Sequence, residues 1–157
     1  MLQDLYHEPP IIPHLPGEIE VASDGNVVFH DAVRNKTLSV ARHNLTFFSH
    51  QKNLTSKKWL EFASRLPSNL NSFMVQRDST ITNLSVNIQT YANSVLRIFV
   101  NDETTPIYTL NILNVKSIIK DGLNVDIDKS DILKCELEIM NGMIDFPIIN
   151  LEHAWRY

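Results

Sequence analysis

Along residues 79–157, apolar side chains recur at every second position and polar turns separate the runs. Leu84, Val86 and Ile88 alternate with polar neighbours. Tyr108, Leu110 and Ile112 do the same, then Leu123, Val125 and Ile127, then Leu133, Cys135, Leu137 and Ile139. Successive side chains of a strand point to opposite faces, so this period predicts strands with one buried and one wet face. Residues 95–100 are apolar except for Arg97, as expected of a strand covered on both sides. Such runs, following one another at roughly ten-residue spacing, predict an all-β antiparallel sandwich or barrel.

The earlier part of the chain reads differently. Residues 1–16 hold four of the seven prolines and cannot supply a continuous hydrogen-bond ladder, which predicts an extended arm. Its apolar side chains are too many for a solvating tail. Leu5, Tyr6, Ile11, Ile12 and Leu15, with Pro9 and Pro10 between them, are therefore candidates for docking, on this domain or on a neighbouring protein. In residues 17–42, Ile19 and Val21 lead into Asp24-Gly25, a strong hairpin-turn pair, and Val27, Val28 and Phe29 form the return strand. A further strand is expected at 37–40, and the sandwich itself at 43–157. Residues 56–65 fit a short helix or an extended segment with Trp59, and with it Leu60, inward, and the extended form is favoured. Residues 101–106 carry the Asn, Asp and Pro of a turn.

Composition narrows the function classes. A chain of 157 residues with 43% hydrophobic content can bury a sizeable core. A formal charge of -4 gives no broad basic surface for a phosphate backbone, so no nucleic-acid partner is expected. No apolar run approaches the roughly 18 residues of a membrane span, and the start lacks a charged-then-apolar leader, so folding in a cytoplasm and no membrane partner are expected. Without that leader, the Asn-X-Ser/Thr triplets at Asn35, Asn44, Asn53 and Asn83 read as ordinary β sequence. The single cysteine, Cys135, sits within an alternating run and is expected to be a small core residue.

No constellation points to catalysis. Six histidines are spread along the chain without the short paired spacing of a zinc site, so no metal or cofactor is expected. Asp121, Asp126, Asp128 and Asp131 surround a turn near Gly122 but lack calcium-loop spacing. Glu136 and Glu138 alternate with Leu137 and Ile139 and are expected on the outer face of one strand, towards solvent or a subunit. Gly-rich phosphate loops and nucleophile elbows are absent from the sequence, and an enzyme is not expected.

Two segments together carry a resemblance. PGEIEVASDGNVVFHDAVRNKTLSVAR (residues 16–42) and INLEHAWRY (residues 149–157) are similar to segments of small virion proteins of tailed bacteriophages, including head-decoration, head-fibre and tail-fibre modules. The matching residues are Asp31, Arg34, Lys36, Leu38, Ser39 and Arg42, then Glu152, Ala154, Trp155 and Arg156. The Leu66-Pro67-Ser68-Asn69 turn and residues 98–101 are also similar. The resemblance covers all but the proline arm and departs at residues 112–122, a loop more apolar than a simple exposed turn. It implies a homotrimeric jelly-roll-like β-sandwich on a virion, assembled in the host cytoplasm and bound to other virion proteins of capsid or tail. The expected function is noncatalytic, a capsid decoration or short head fibre anchored by the arm. The alternative is a tail-fibre or receptor-binding module that recognises a host-surface glycan. Phe47, Phe48, Phe146, Trp155 and Tyr157 are candidate subunit-face aromatics, with core packing as the competing role and Trp155 the strongest core candidate.

Overall fold

The computed structural model describes residues 17–63, 66–70 and 72–157. The arm, with Leu5, Tyr6, Pro9, Pro10, Ile11, Ile12 and Leu15, lies outside the described residues.

The first three strands, β1 (Ile19–Val21), β2 (Val27–Asp31) and β3 (Lys36–Ser39), form an antiparallel sheet in that order. Gly25 takes φ +83°, where a Cβ would be strained, and the Asp24 carboxylate accepts the Asn26 N–H at 3.2 Å, so the Asp-Gly pair makes the first turn. At the second turn Asp31 Oδ1 accepts the N–H groups of Val33 and Arg34 at 3.0 and 3.1 Å, and Asn35 takes φ +53°. The expected hairpin is thus extended by a third strand.

The remaining strands are β4 (His43–Phe48), β5 (Lys58–Trp59), β6 (Glu61–Phe62), β7 (Phe73–Met74), β8 (Ser79–Val100), β9 (Tyr108–Ile127), β10 (Ile132–Asn141) and β11 (Ile148–Trp155). They follow the order β5-β10-β8-β11-β4-β6, with β7 on β10 and β9 on β8. The sequence runs at 84–88 and 95–100 are one strand, as are those at 108–112 and 123–127, and the apolar stretch 112–122 lies inside β9 rather than in a loop. Register shifts between Asn87 and Asn93, with Gln89 at φ +56° and Asn114 at φ +51°, bend this long ribbon without breaking it. The polar residues at the bend interrupt the alternation, and that interruption mimics a turn.

Bending makes the sandwich. The first half of β8 pairs with β11 and the second half with β10, while β9 follows both. Leu84, Val86 and Ile88 from one half and Ala92, Leu96 and Ile98 from the other enter a single core. They meet Leu45 and Phe47 of β4, Ile149 and Leu151 of β11, and Leu133, Cys135 and Leu137 of β10. The fold is an all-β, antiparallel, jelly-roll-like sandwich, and no helix occurs among the described residues. Residues 58–62 are extended, with Leu60 in the core and Trp59, expected inward, half-buried on the outer face, where register sets it opposite Glu136 and it packs on Phe99 at 5.3 Å between ring centroids.

Cys135 is fully buried in this core, and that burial pushes its thiol well above the usual range. Iodoacetamide is accordingly expected to leave the native protein unlabelled at pH 8 and to label it stoichiometrically in denaturant; mass spectrometry reads both, and native labelling would contradict the packing.

Glu136 departs from expectation. It shares a strand face with Glu138, but that face is covered at Glu136, which is 1% exposed. Trp59 and Arg97 lie opposite it on the two flanking strands, so their side chains stand on the same face. Lys57 Nζ at 3.0 Å and Arg97 Nη1 at 3.1 Å pair with its two oxygens, and Arg97 also holds Glu138 at 2.7 Å.

Candidate functional site

The ten residues that carry the resemblance converge on one seam between the leading sheet and the sandwich. Arg34 is paired with Asp31, donates through Nε to the Leu123 carbonyl at 2.5 Å and reaches the Thr82 carbonyl at 3.3 Å. Lys36 bonds Asp126 at 2.5 Å and Asn124 at 2.6 Å, both on β9. Leu38 is fully buried and bridges to Arg156, and Ser39 Oγ accepts the Trp155 N–H at 3.0 Å. Arg42 faces Glu152 at 3.7 Å, and Arg156 is paired with both Asp126 and Asp128. Thr80, Thr82 and Ala154 are buried, and the Thr80 hydroxyl donates to Asp126 at 2.8 Å. Hydrogen bonds from Lys36 and Thr80, with the Arg156 charge, hold the Asp126 carboxyl below its ordinary range against the effect of burial. Three of the four acidic residues grouped in the sequence are therefore engaged in pairing, Asp126 and Asp128 here and Asp131 on Asn101 and the Asp128 N–H, while Asp121 lies exposed on β9.

Beside the seam is a concave site. Arg42, His43, Asn44 and Leu45 of β4 and its approach, Phe73, Gln76, and His153 and Trp155 of β11 line a cleft of about 390 Å³. Its geometry comes from strand register: His43 lies opposite His153, and their rings are 5.4 Å apart. Trp155, two residues on, stacks with His43 at 4.3 Å. Trp155 is thus half-buried at the cleft, not the core residue expected; a register shift between Glu152 and His153 precedes it near the end of the sheet. Arg77 stands over the Trp155 ring at 4.6 Å and the Tyr157 ring at 5.3 Å. It also binds Asp24 of the first turn at 2.6 Å, to which the Tyr157 hydroxyl donates at 3.2 Å. This Arg77 bond holds the Asp24 carboxyl down at about 2.

Electrostatically the cleft is close to neutral. Arg42 and Arg77 each have a carboxylate partner. His153 is 4% exposed, and its burial, with His43 adding a smaller effect, lowers its imidazole to about 4. His153 Nδ1 and His43 Nε2 are buried without a hydrogen-bond partner. No group of three or more His, Cys, Asp or Glu side chains among the described residues is placed to hold a metal ion. Among the other candidate aromatics, Phe47 is core, Phe48 and Phe146 are half-buried, and Tyr157 is exposed. Nothing in the sequence connects His43 with His153, 110 positions away; only the β4–β11 pairing brings them together.

No family model matches the chain, and none of the curated proteins matches it. Among solved structures it is similar to a chain in the acidic stable capsid structure of Helicobacter pylori bacteriophage KHP30, at 11% identity and TM-score 0.42, covering 73% of this chain and 93% of that one. It is also similar to the PRD1 vertex protein P5, at 13% identity and TM-score 0.46, covering 98% of this chain and 92% of that one.

Proposed function

We propose that this chain is a noncatalytic structural protein of a phage virion, a homotrimer that decorates the capsid or forms a short head fibre. Residues 1–16 attach it to other virion proteins, and the sandwich projects. Its place is the virion, with assembly in the host cytoplasm. The observation that carries this reading is the seam: the residues similar to phage virion modules come from two distant segments and meet as one structural joint. Their role is to fix a leading sheet onto a jelly-roll-like body, which is the work of a scaffold. The trimer is supported by β9, whose one pairing partner among the described residues is β8, leaving a long strand edge with Leu113 and Ile119 exposed. Such edges invite open-ended pairing, and a closed rotational assembly covers them.

Mass in solution and retention on purified capsids lacking tails test the proposal. The expected mass is three times 18.0 kDa, for the full chain and nearly so after deletion of residues 1–16. Retention is expected for the full chain and lost on deletion, because attachment through three arms depends on avidity. A monomer, or undiminished retention of the truncated chain, overturns it.

A second reading, a tail-fibre or receptor-binding module for a host-surface glycan, is favoured by the neutral, aromatic-walled cleft. Binding of the full chain on an array of host-surface glycans would support it over capsid decoration.

A further inference from the structure

We propose that copies of this chain meet through the outer face of β4, β11, β8 and β9, with Ile119 of one copy seated in an apolar pocket formed by Phe48, Phe146 and Ile148 of the next. The ring of three rests on the trimer proposed above; the contact itself rests on two complementary features of this face.

Strand register defines the face. Phe48 lies opposite Ile148, Ile148 opposite Asn87 and Asn87 opposite Ser117; one row on, Thr46, Asn150, Ser85 and Ile119 line up in the same way. Directly opposed residues share a sheet face, as do residues two apart along a strand. The alternate positions, such as Phe47, Val86 and Ile149, enter the core, so these eight side chains stand outward. None of the eight is charged. On the other half of the sandwich the outer face is the reverse case, carrying Glu136, Glu138, Lys134 and Arg97. Each copy has a formal charge of -4, so two copies repel over much of their surface, and the centres of protein interfaces are depleted in charge. The uncharged face is where a second copy approaches at the lowest electrostatic cost.

This face carries both a knob and a hole. Ile119 is 66% exposed on the open side of β9, and its branched Cβ keeps it to few rotamers. Three strand spacings away, about 14 Å, Phe48, Ser49, His50, Phe146 and Ile148 line a pocket of about 240 Å³ that leaves Ile148 39% exposed. The lining is almost wholly apolar, because the Ser49 hydroxyl is turned to the Gln51 N–H, which it accepts at 3.2 Å. His50 stands edge-on to Phe48 at 4.9 Å and Lys52 lies over Phe146 at 5.4 Å, which walls the pocket from the side. Phe146 sits at φ +43°, an unusual conformation for a bulky residue, fixed by its N–H bond to the Gln51 carbonyl at 3.0 Å. An exposed isoleucine and an open apolar pocket both leave water on joining, and both are on every copy.

Knob and hole are different patches on opposite sides of one face, so the contact is heterologous. Each copy gives its knob to one neighbour and its hole to the other, and such contacts form a ring when the rotation closes. The seated knob also brings the open edge of β9 against the next copy, which covers it. Leu113 is as exposed as Ile119 but lies opposite Asn93, beyond the bend, and is not part of this face.

Cysteine pairing in the full chain tests the contact. Within one copy, positions 119 and 148 are two strand spacings apart, about 10 Å, beyond disulfide reach, and Cys135 is buried, so a bond between them joins two copies. The double variant Ile119→Cys, Ile148→Cys is expected to run as three linked chains on a non-reducing denaturing gel after oxidation, and each single variant as one chain. Ile119→Glu and Ile148→Glu, both at exposed positions, are each expected to weaken association about a hundredfold by sedimentation velocity, with Cys135 still closed to iodoacetamide as the check on folding. Where a glutamate variant unfolds, the disulfide result decides. A trimer that gives no linked chains in the double variant, or whose association is unchanged by both glutamates, overturns this face and leaves the trimer standing. Two linked chains in a dimer would keep the contact and remove the trimer, and a monomeric parent would remove both.

Discussion

Arg97→Met is expected to destabilise the protein by about 3 kcal/mol, far more than an exposed charge would cost. Glu136 is 1% exposed, and its two oxygens are met by Arg97 and Lys57. The lysine is largely exposed, so the arginine is the more sheltered of the two partners. Glu138 and Glu136 in turn hold the Arg97 guanidinium above its ordinary range. Methionine keeps much of the stem that packs on the sheet but removes the charge, leaving a buried carboxylate short of a partner and close to Glu138. Removing both sides of a buried pair is a different matter, because no charge is stranded. The double variant Arg97→Met, Glu136→Met, placed beside Trp59 and Phe99, is therefore expected to recover to within about 1 kcal/mol of the parent. Urea unfolding of the parent, both single variants and the double variant closes the cycle. A single-variant cost under about 1 kcal/mol, or a double variant as poor as the sum of the singles, would show that the pair is a solvated surface bridge.

Acidification from pH 7.5 to 4 is expected to remove about 3 kcal/mol through His153 alone. Its imidazole titrates at about 4 in the folded chain against an ordinary value of 6.5. Between those values the unfolded chain binds the proton and the folded chain does not, so stability falls as pH drops from about 6.5 to 4. The groups that face His153 are His43 across the strands, Arg42 with its partner Glu152, and the Phe73 and Trp155 rings. The carboxylates act in a separate window: Asp24, Asp31 and Asp126 are lowered by their cationic partners, so what they contribute is present above about 3.8 and lost only below it. The interval between pH 6.5 and 4.5 lies above that window, and comparison with His153→Leu assigns the slope there to this histidine. Urea titrations at closely spaced pH values should show it in the parent and show it reduced in His153→Leu. A flat parent profile in that interval, or an unchanged slope in the variant, would contradict the buried neutral imidazole.

How far the chain could be read in advance depends on the range of the interactions involved. Leu84, Val86, Ile88, Leu133, Cys135 and Leu137 were legible as core because alternation is a property of neighbouring residues, and the core holds all of them. The Asp24-Gly25 and Asp31 turns were legible or nearly so, since their hydrogen bonds close within three residues. The continuity of β8 and β9 was not, because Gln89 and Asn114 carry turn-like chemistry and a bulge differs from a turn only in whether the ladder resumes beyond it. Glu136 had the parity of an outward residue and a buried fate, because Trp59 and Arg97 of the flanking strands, and Lys57 just before β5, come together around it. The cleft was invisible for the same reason: His43 and His153 become neighbours only through the β4–β11 register.

By itself, then, the sequence determined the all-β character, the inward residues of the core strands and the Asp24-Gly25 turn, since each follows from local periodicity and local hydrogen bonding. It also carried the residues of the seam as a pattern of resemblance. Tertiary structure alone decided that those residues clamp one sheet to another, that an apparently exposed glutamate is buried among cations, and that two distant histidines share a neutral cleft. Those outcomes depend on which strands pair and in what register, and that choice is made by burial of the whole core rather than by any short stretch of chain.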